Sequence, residues 1–345
     1  MRSETWAEIS LDKLNHNYQS LLNQIGDRSV FPVVKANAYG HGMIEMAKAF
    51  EQMGTQILCV SSIEEAVKLV ENGISVDILI FGRTSNKAIQ KYNHPQFIYT
   101  ISSLNWLNEI EKPVRLHLEI NTGMNRMGLK VKRDIFQVLK KHTVEGIYTH
   151  FASNIENQFT QRQLMNFKQI IAEISLSEIK WIHVGNIPLS YLEGLPKVNG
   201  VRFGLSLYGY HPYLELKPVL SLYSKISHID YLNEGETVGY DYTYIASKEE
   251  IFATVPIGYA DGFDLRQNLY PVFIKGNAFP IIGKICMDQL MIRGDHSIQV
   301  DDIVELIGEH RELEVVSVKT GLTIYEVLAC LPERLQRKYM KSNEN

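Results

Sequence analysis

Lys35 closes the apolar run Phe31-Pro32-Val33-Val34 and is followed by Ala36-Asn37-Ala38-Tyr39-Gly40-His41-Gly42. An ammonium group held among apolar side chains loses hydration, so its pKa falls and the free amine becomes available as a nucleophile or base. That is the chemistry of an amine that condenses with a carbonyl. A lysine that keeps its head in water at the rim of a barrel fits the position alone equally well. The following residues favour chemistry, because the glycines at 40 and 42 allow a backbone to approach a ligand and Tyr39 offers a hydroxyl.

Lys35 is the first of a series. Apolar or β-rich runs recur as FPVVKA from Phe31, ILCVSS from Ile57, DILIFG from Asp77, FIYTIS from Phe97, RLHLEIN from Arg115, EGIYTHF from Glu145, KWIHVGN from Lys180 and GVRFG from Gly200. Polar residues finish many of them: Glu119 and Asn121 the fifth, with Arg126 in the loop beyond, His150 the sixth, His183 and Asn186 the seventh, Arg202 and Gly204 the eighth. Helix-like spacing fills most intervals, as in Ile63 to Glu71 and Gln161 to Ile174. Strands alternating with helices make right-handed parallel units, and eight of them predict a (β/α)8 TIM barrel whose site lies where the strands end. The glycine and helix start in Val201 to Gly209 could hold a phosphate on free amides, although a glycine there is more often a packing residue.

After Pro218 the rhythm changes to short strand-like runs broken by turns such as Asn233-Glu234-Gly235-Glu236 and Lys275-Gly276-Asn277. The expected organisation is a barrel over residues 12–217 and a mostly β C-terminal domain over 218–345, with the opening strand in residues 1–11 pairing into the latter. The polar tail Lys341 to Asn345 is expected to fray.

Composition narrows the partners. The 345 residues carry 45% apolar and 21% charged side chains and a formal net charge of −4, which suits a globular protein with a sizeable core and recruits neither nucleic acid nor a membrane. Three scattered cysteines, Cys59, Cys286 and Cys330, predict no disulfide framework or metal site and suit a reducing cytoplasm. No stretch approaches the roughly 20 apolar residues of a membrane span. A small-molecule substrate or another protein chain is the expected partner.

The segment VVKANAYGHG resembles the cofactor-lysine segment of alanine racemases, the fold-type III pyridoxal-phosphate enzymes. The likeness continues in order through NTGMNRMG (Asn121 to Gly128), THFA (Thr149 to Ala152), VRFGLSLYG (Val201 to Gly209), VGYDYTY (Val238 to Tyr244), IGYADG (Ile257 to Gly262) and CMDQ (Cys286 to Gln289). The resemblance implies a head-to-tail homodimer with shared sites, pyridoxal 5'-phosphate held by Lys35, and racemisation of an amino acid, alanine above all, to supply D-alanine for peptidoglycan.

It also implies roles. Lys35 and the partner's Tyr240 would be the two opposed bases, with His150 and Arg202 beside that tyrosine. Arg202 would face the pyridine nitrogen and, being reluctant to release a proton, leave it unprotonated. Tyr39, Asn186 and the amides of Gly204 and Leu205 would contribute to cofactor binding, Arg126 and the backbone of Met287 would hold the substrate carboxylate, and Tyr259 would stand at the entrance, with Asp288 in support.

Three positions depart from the family pattern. Glu119 stands where many members have a lysine, often carbamylated, and is expected to supply the negative charge itself and pair with Arg126. Ile187 replaces a phosphate-binding serine. Pro332 and Glu333 lie near the position of a tyrosine that limits substrate size. The alternative they raise is a serine or broad-specificity racemase; a pyridoxal-phosphate-binding protein without racemase activity is a further one, against which the retention of Tyr240 beside Lys35 argues. A decarboxylase of basic amino acids shares the barrel and cofactor, but VGYDYTY and CMDQ resemble the racemases instead.

Overall fold

The computed structural model describes residues 4–175 and 179–341; the polar tail beyond Lys341 lies outside them. Contacts group the chain into two compact units. One takes in residues 15–36 and 43–216; the other takes in the described parts of 1–14 and 217–345 together with 37–42.

The opening strand is β1 (Thr5–Ser10). The first unit then holds β2 (Ser29–Pro32), β3 (Ile57–Val60), β4 (Asp77–Ile80), β5 (Phe97–Ile101), β6 (Arg115–Glu119), β7 (Gly146–His150), β8 (Trp181–Gly185) and β9 (Gly200–Phe203), all parallel, in the order β2-β9-β8-β7-β6-β5-β4-β3. The eight expected runs are these eight strands. Between β2 and β3 the seam closes by a single parallel bridge, Val33 to Cys59, and by the Val34 amide donating to the Cys59 carbonyl over 2.9 Å.

The strands read as unbroken apolar runs because a parallel sheet wrapped in helices is covered on both faces. All four residues of β3 and all five of β5 are buried. The intervening helices start where side chains satisfy their free amides: Ser62 accepts from the Glu65 amide, and Asn157 and Thr160 form a reciprocal capping box. The short, glycine-rich GVRFG run forms β9, and its Gly200 makes room for Phe31, whose ring would lie 2.8 Å from a Cβ there.

The second unit contains β10 (Leu220–Lys225), β11 (His228–Leu232), β12 (Glu250–Val255), β13 (Val272–Ile274), β14 (Asn277–Phe279), β15 (Ile281–Ile282), β16 (Leu290–Gly294), β17 (Ile303–Ile307) and β18 (Gln336–Met340). One sheet runs β14-β13-β17-β10-β1-β18 and the other β11-β12-β16-β15. β1 pairs antiparallel with β10, placing Ala7 opposite Leu222, and parallel with β18. Helices at Leu313–Thr320 and Ile324–Ala329 complete this mostly β unit. Leu232, Val238, Ala246, Ile282 and Met291 form one of its cores.

Candidate active site

The first barrel strand ends at Pro32, so Lys35 lies three residues beyond it rather than at its last position. Lys35 opens the helical turn Lys35–Tyr39, and that turn is left-handed: Ala36, Asn37, Ala38 and Tyr39 have φ of 52–53°. Left-handed helix costs L-residues roughly 1–2 kcal/mol each, so other contacts must hold it. His41 is buried, and its Nδ1 lies 3.0 Å from the Ala38 carbonyl and 2.9 Å from that of Tyr39. Arg337 Nε donates to the Gly40 carbonyl over 2.7 Å and the Tyr339 hydroxyl to that of His41 over 3.1 Å. On the barrel side, the Glu65 carboxylate accepts from the Ala36 and Ser61 amides, each over 2.7 Å. The strain is thus concentrated where the chain presents Lys35.

The half-buried Lys35 amine has its pKa lowered, first by burial and then by the charge of Arg126, with Glu65 opposing both. Arg126 is exposed in a loop shaped by Asn121, whose Oδ1 accepts from the amides of Gly123 (3.1 Å) and Asn125 (3.0 Å). The loop folds back on β6 through the Leu129 amide, 2.9 Å from the Glu119 carbonyl.

Glu119 is buried, and burial raises its pKa against the lowering influence of Arg202, Arg126 and the Tyr148 hydroxyl. Its Oε2 accepts from Tyr148 over 3.3 Å. The expected salt bridge to Arg126 is not formed: that arginine is exposed, and its charge reaches Glu119 only at longer range. Tyr148, absent from the sequence reading, occupies the carboxylate instead.

Arg202 is only 4% exposed yet hydrogen-bonds to neutral acceptors: His183 Nδ1 at 2.5 Å, the Thr149 carbonyl at 2.9 Å and His150 Nδ1 at 3.4 Å. Its guanidinium carbon lies 4.4 Å from the Tyr148 ring centroid. Gly185 is required here, because a Cβ would lie 2.7 Å from Arg202 Nη2. Burial, then Arg202, Arg126 and Lys35, push the His150 pKa down to about 3, so this imidazole is neutral at ordinary pH. Asn186 has φ of 54°, and its Nδ2 donates to the Phe151 carbonyl over 3.0 Å. Gly204 precedes a 3-10 turn at Leu205–Tyr208, and Ile187 is buried.

The barrel therefore gathers Lys35, Glu119, Arg126, His150, Asn186, Arg202, Gly204 and Leu205 at the ends of its strands. Tyr39 is buried and packs with residues of the second unit, its ring 6.0 Å from that of Tyr325. The remaining residues form a separate group within that unit. Tyr240 starts a short turn and is 68% exposed. The Tyr259 amide donates to the Cys286 carbonyl over 3.1 Å and the Ala260 amide to that of Met287 over 3.0 Å, so IGYADG lies directly on CMDQ. Arg334, also missed by the sequence reading, ties both loops through Asp261 and Asp288. No spacing rule connects position 334 with 261 and 288.

A desolvated amine and a buried guanidinium at the C-terminal mouth of a closed parallel barrel define a barrel enzyme with an amine-bearing site. Residues 9–212 match the family model for the alanine racemase N-terminal domain, and residues 219–339 that for the C-terminal domain. The chain belongs to the alanine racemase family and is an enzyme of that family. A Listeria innocua alanine racemase is 34% identical over 360 residues, covering 97% of this chain and 98% of its own. The solved alanine racemase of Clostridium difficile 630 is 34% identical with a TM-score of 0.91, covering 100% of this chain and 97% of its own. A Bartonella henselae alanine racemase with covalently bound pyridoxal phosphate is 26% identical with a TM-score of 0.84, covering 98% of this chain and 100% of its own.

Proposed function

We propose that the protein interconverts L- and D-alanine with pyridoxal 5'-phosphate, acts as a homodimer with shared sites in the cytoplasm, and supplies D-alanine for peptidoglycan. The observation that carries this reading is Lys35, an amine whose pKa burial lowers, presented by a strained turn at the barrel mouth. The donor set suits the cofactor: an amine for the aldehyde, a guanidinium for the ring nitrogen, and the backbone amides of Gly204 and Leu205 at a turn for the phosphate. When bound, the cofactor draws electrons from the substrate's α-carbon and so makes its proton acidic.

The chain's own groups then divide the work. Lys35 takes or returns the proton on one face, and the partner's Tyr240 does so on the other. An ordinary tyrosine titrates near 10, so positive charge from Arg202, relayed through neutral His150, would help its hydroxyl act as a base. Arg126 and the partner's Met287 backbone hold the substrate carboxylate, and the partner's Tyr259 screens the entrance. The second unit supports a partner-supplied set, since Tyr240, Tyr242, Ile245, Tyr259 and Met287 are all exposed. Three free cysteines suit a reducing compartment, and among the described residues no helix is long and apolar enough to cross a membrane.

The test combines a racemisation assay with the absorbance of bound cofactor, repeated for Lys35→Ala. Loss of both in the variant is expected; an unchanged spectrum and rate would overturn the reading. A broader substrate range is the second reading, favoured by Pro332 and the exposed Glu333. Relative rates on L-alanine and L-serine separate the two.

A further inference from the structure

Behind Arg202 lies a chain of two buried imidazoles that the proposed chemistry does not use. His183 Nδ1 is 2.5 Å from Arg202 Nη1, and His183 Nε2 is 2.9 Å from His117 Nδ1. Both rings are fully buried, with Tyr148 stacked on His183 at 4.8 Å between centroids. A guanidinium has donors only, so His183 must accept at Nδ1 and, as a neutral ring, carries its proton on Nε2. That proton can only be donated to His117 Nδ1. His117 in turn carries its proton on Nε2, which is buried without a partner against Gly146, where a Cβ would lie 2.5 Å from it.

The order of donors is therefore directional from Arg202 to the barrel interior. Reversing either ring would set two N–H groups, or an N–H and the guanidinium, against each other. An unpaired buried N–H is costly, and the fold accepts one at His117 to keep this order. The charges acting on His117 are all positive, namely Arg115, Arg202 and Lys180, so neither ring has a carboxylate that would draw a second proton onto it.

We infer that His117 is a positioning residue: through His183 it fixes the plane of the Arg202 guanidinium while leaving its positive charge uncancelled for the group it faces. A carboxylate in place of His183 would orient the arginine equally well but cancel that charge. The inference rests on the reading of Arg202 as the residue facing the cofactor ring.

The experiment is histidine-ring 15N spectroscopy on the full-length protein, with pyridoxal phosphate and after its removal, alongside His117→Leu and His117→Asn. The asparagine oxygen can take the place of Nδ1 as acceptor, whereas leucine cannot. The expected spectrum shows His117 and His183 neutral with protons on Nε2 down to about pH 5. The leucine variant is expected to lose about 10- to 100-fold in kcat with little change in KM and to divert more turnovers into transamination, and asparagine to restore most of the loss. A proton on Nδ1 of His183, titration of either ring near 6.5, or wild-type kcat in the leucine variant would overturn the inference. The wild-type spectrum decides even if the leucine variant does not fold. Failure of the wild-type protein to bind cofactor or racemise would instead overturn the functional reading and leave the spectrum as a test of the relay.

Discussion

The Arg334 guanidinium lies 2.6 Å from the carboxylate of Asp261, whose side chain is only 3% exposed. The same nitrogen is 3.2 Å from Asp288, a carboxylate 44% exposed. Asp261 also accepts from the Gly258 amide over 3.1 Å, so one arginine fixes the loop of Tyr259 and the loop of Met287 together.

Removing Arg334 takes a guanidinium away from a buried carboxylate that keeps the Gly258 amide. Arg334→Ala is expected to cost about 1–3 kcal/mol in urea unfolding and to raise KM for alanine, whereas Asp288→Asn, at an exposed pair, should cost less than about 1 kcal/mol. Equal costs for the two variants would show that Asp261 is not the important partner.

Acid should destabilise the protein through its buried histidines. Burial pushes His41 down to about 4, His117 and His150 to about 3, and His183 well below its usual value. The unfolded chain binds these protons near 6.5 and the folded chain does not, so their contribution is complete above pH 6.5 and is lost as pH falls toward the folded values. Each contributes about 1.4 kcal/mol per pH unit in that window. Unfolding free energies measured from pH 7 to 5 should show a slope that His41→Asn lowers by about one proton.

Glu119 works in the opposite sense. Its folded pKa is raised, so its contribution is present below the ordinary carboxylate range and is lost as pH rises through the folded value. Glu119→Gln should therefore gain Tm relative to the parent as pH rises from 4.5 to 8. It should also raise KM for alanine about two- to fivefold, because a negative charge near Arg126 is gone. Depleting carbon dioxide should leave the parent enzyme's rate unchanged.

Tyr240→Phe tests the division of labour between the two faces. The expected loss in kcat is about 10²–10⁴-fold, with α-proton exchange in deuterated water abolished for one alanine enantiomer and retained for the other. Equal loss from both enantiomers would argue against a base on each face.

The eight barrel strands were legible because each run is local: a strand covered on both faces must be apolar, and eight such runs separated by helices admit few topologies. The residues at or just beyond the C-terminal ends of the strands, from Lys35 to Arg202, followed from that alone. The left-handed turn was not legible, since in Ala-Asn-Ala-Tyr only the asparagine has a local leaning toward positive φ; contacts of His41, Arg337 and Tyr339, up to 298 residues apart, hold it.

The sequence by itself determined a parallel barrel with an amine at its mouth and, through ordered motifs, the family. Only the tertiary structure decided which groups meet: Tyr148 rather than Arg126 on Glu119, His183 and His117 behind Arg202, and Arg334 between Asp261 and Asp288. The physical reason is range. Burial patterns repeat every two to four residues and can be read along the chain, whereas a hydrogen-bond partner is selected by strand register and loop path among residues tens to hundreds of positions apart.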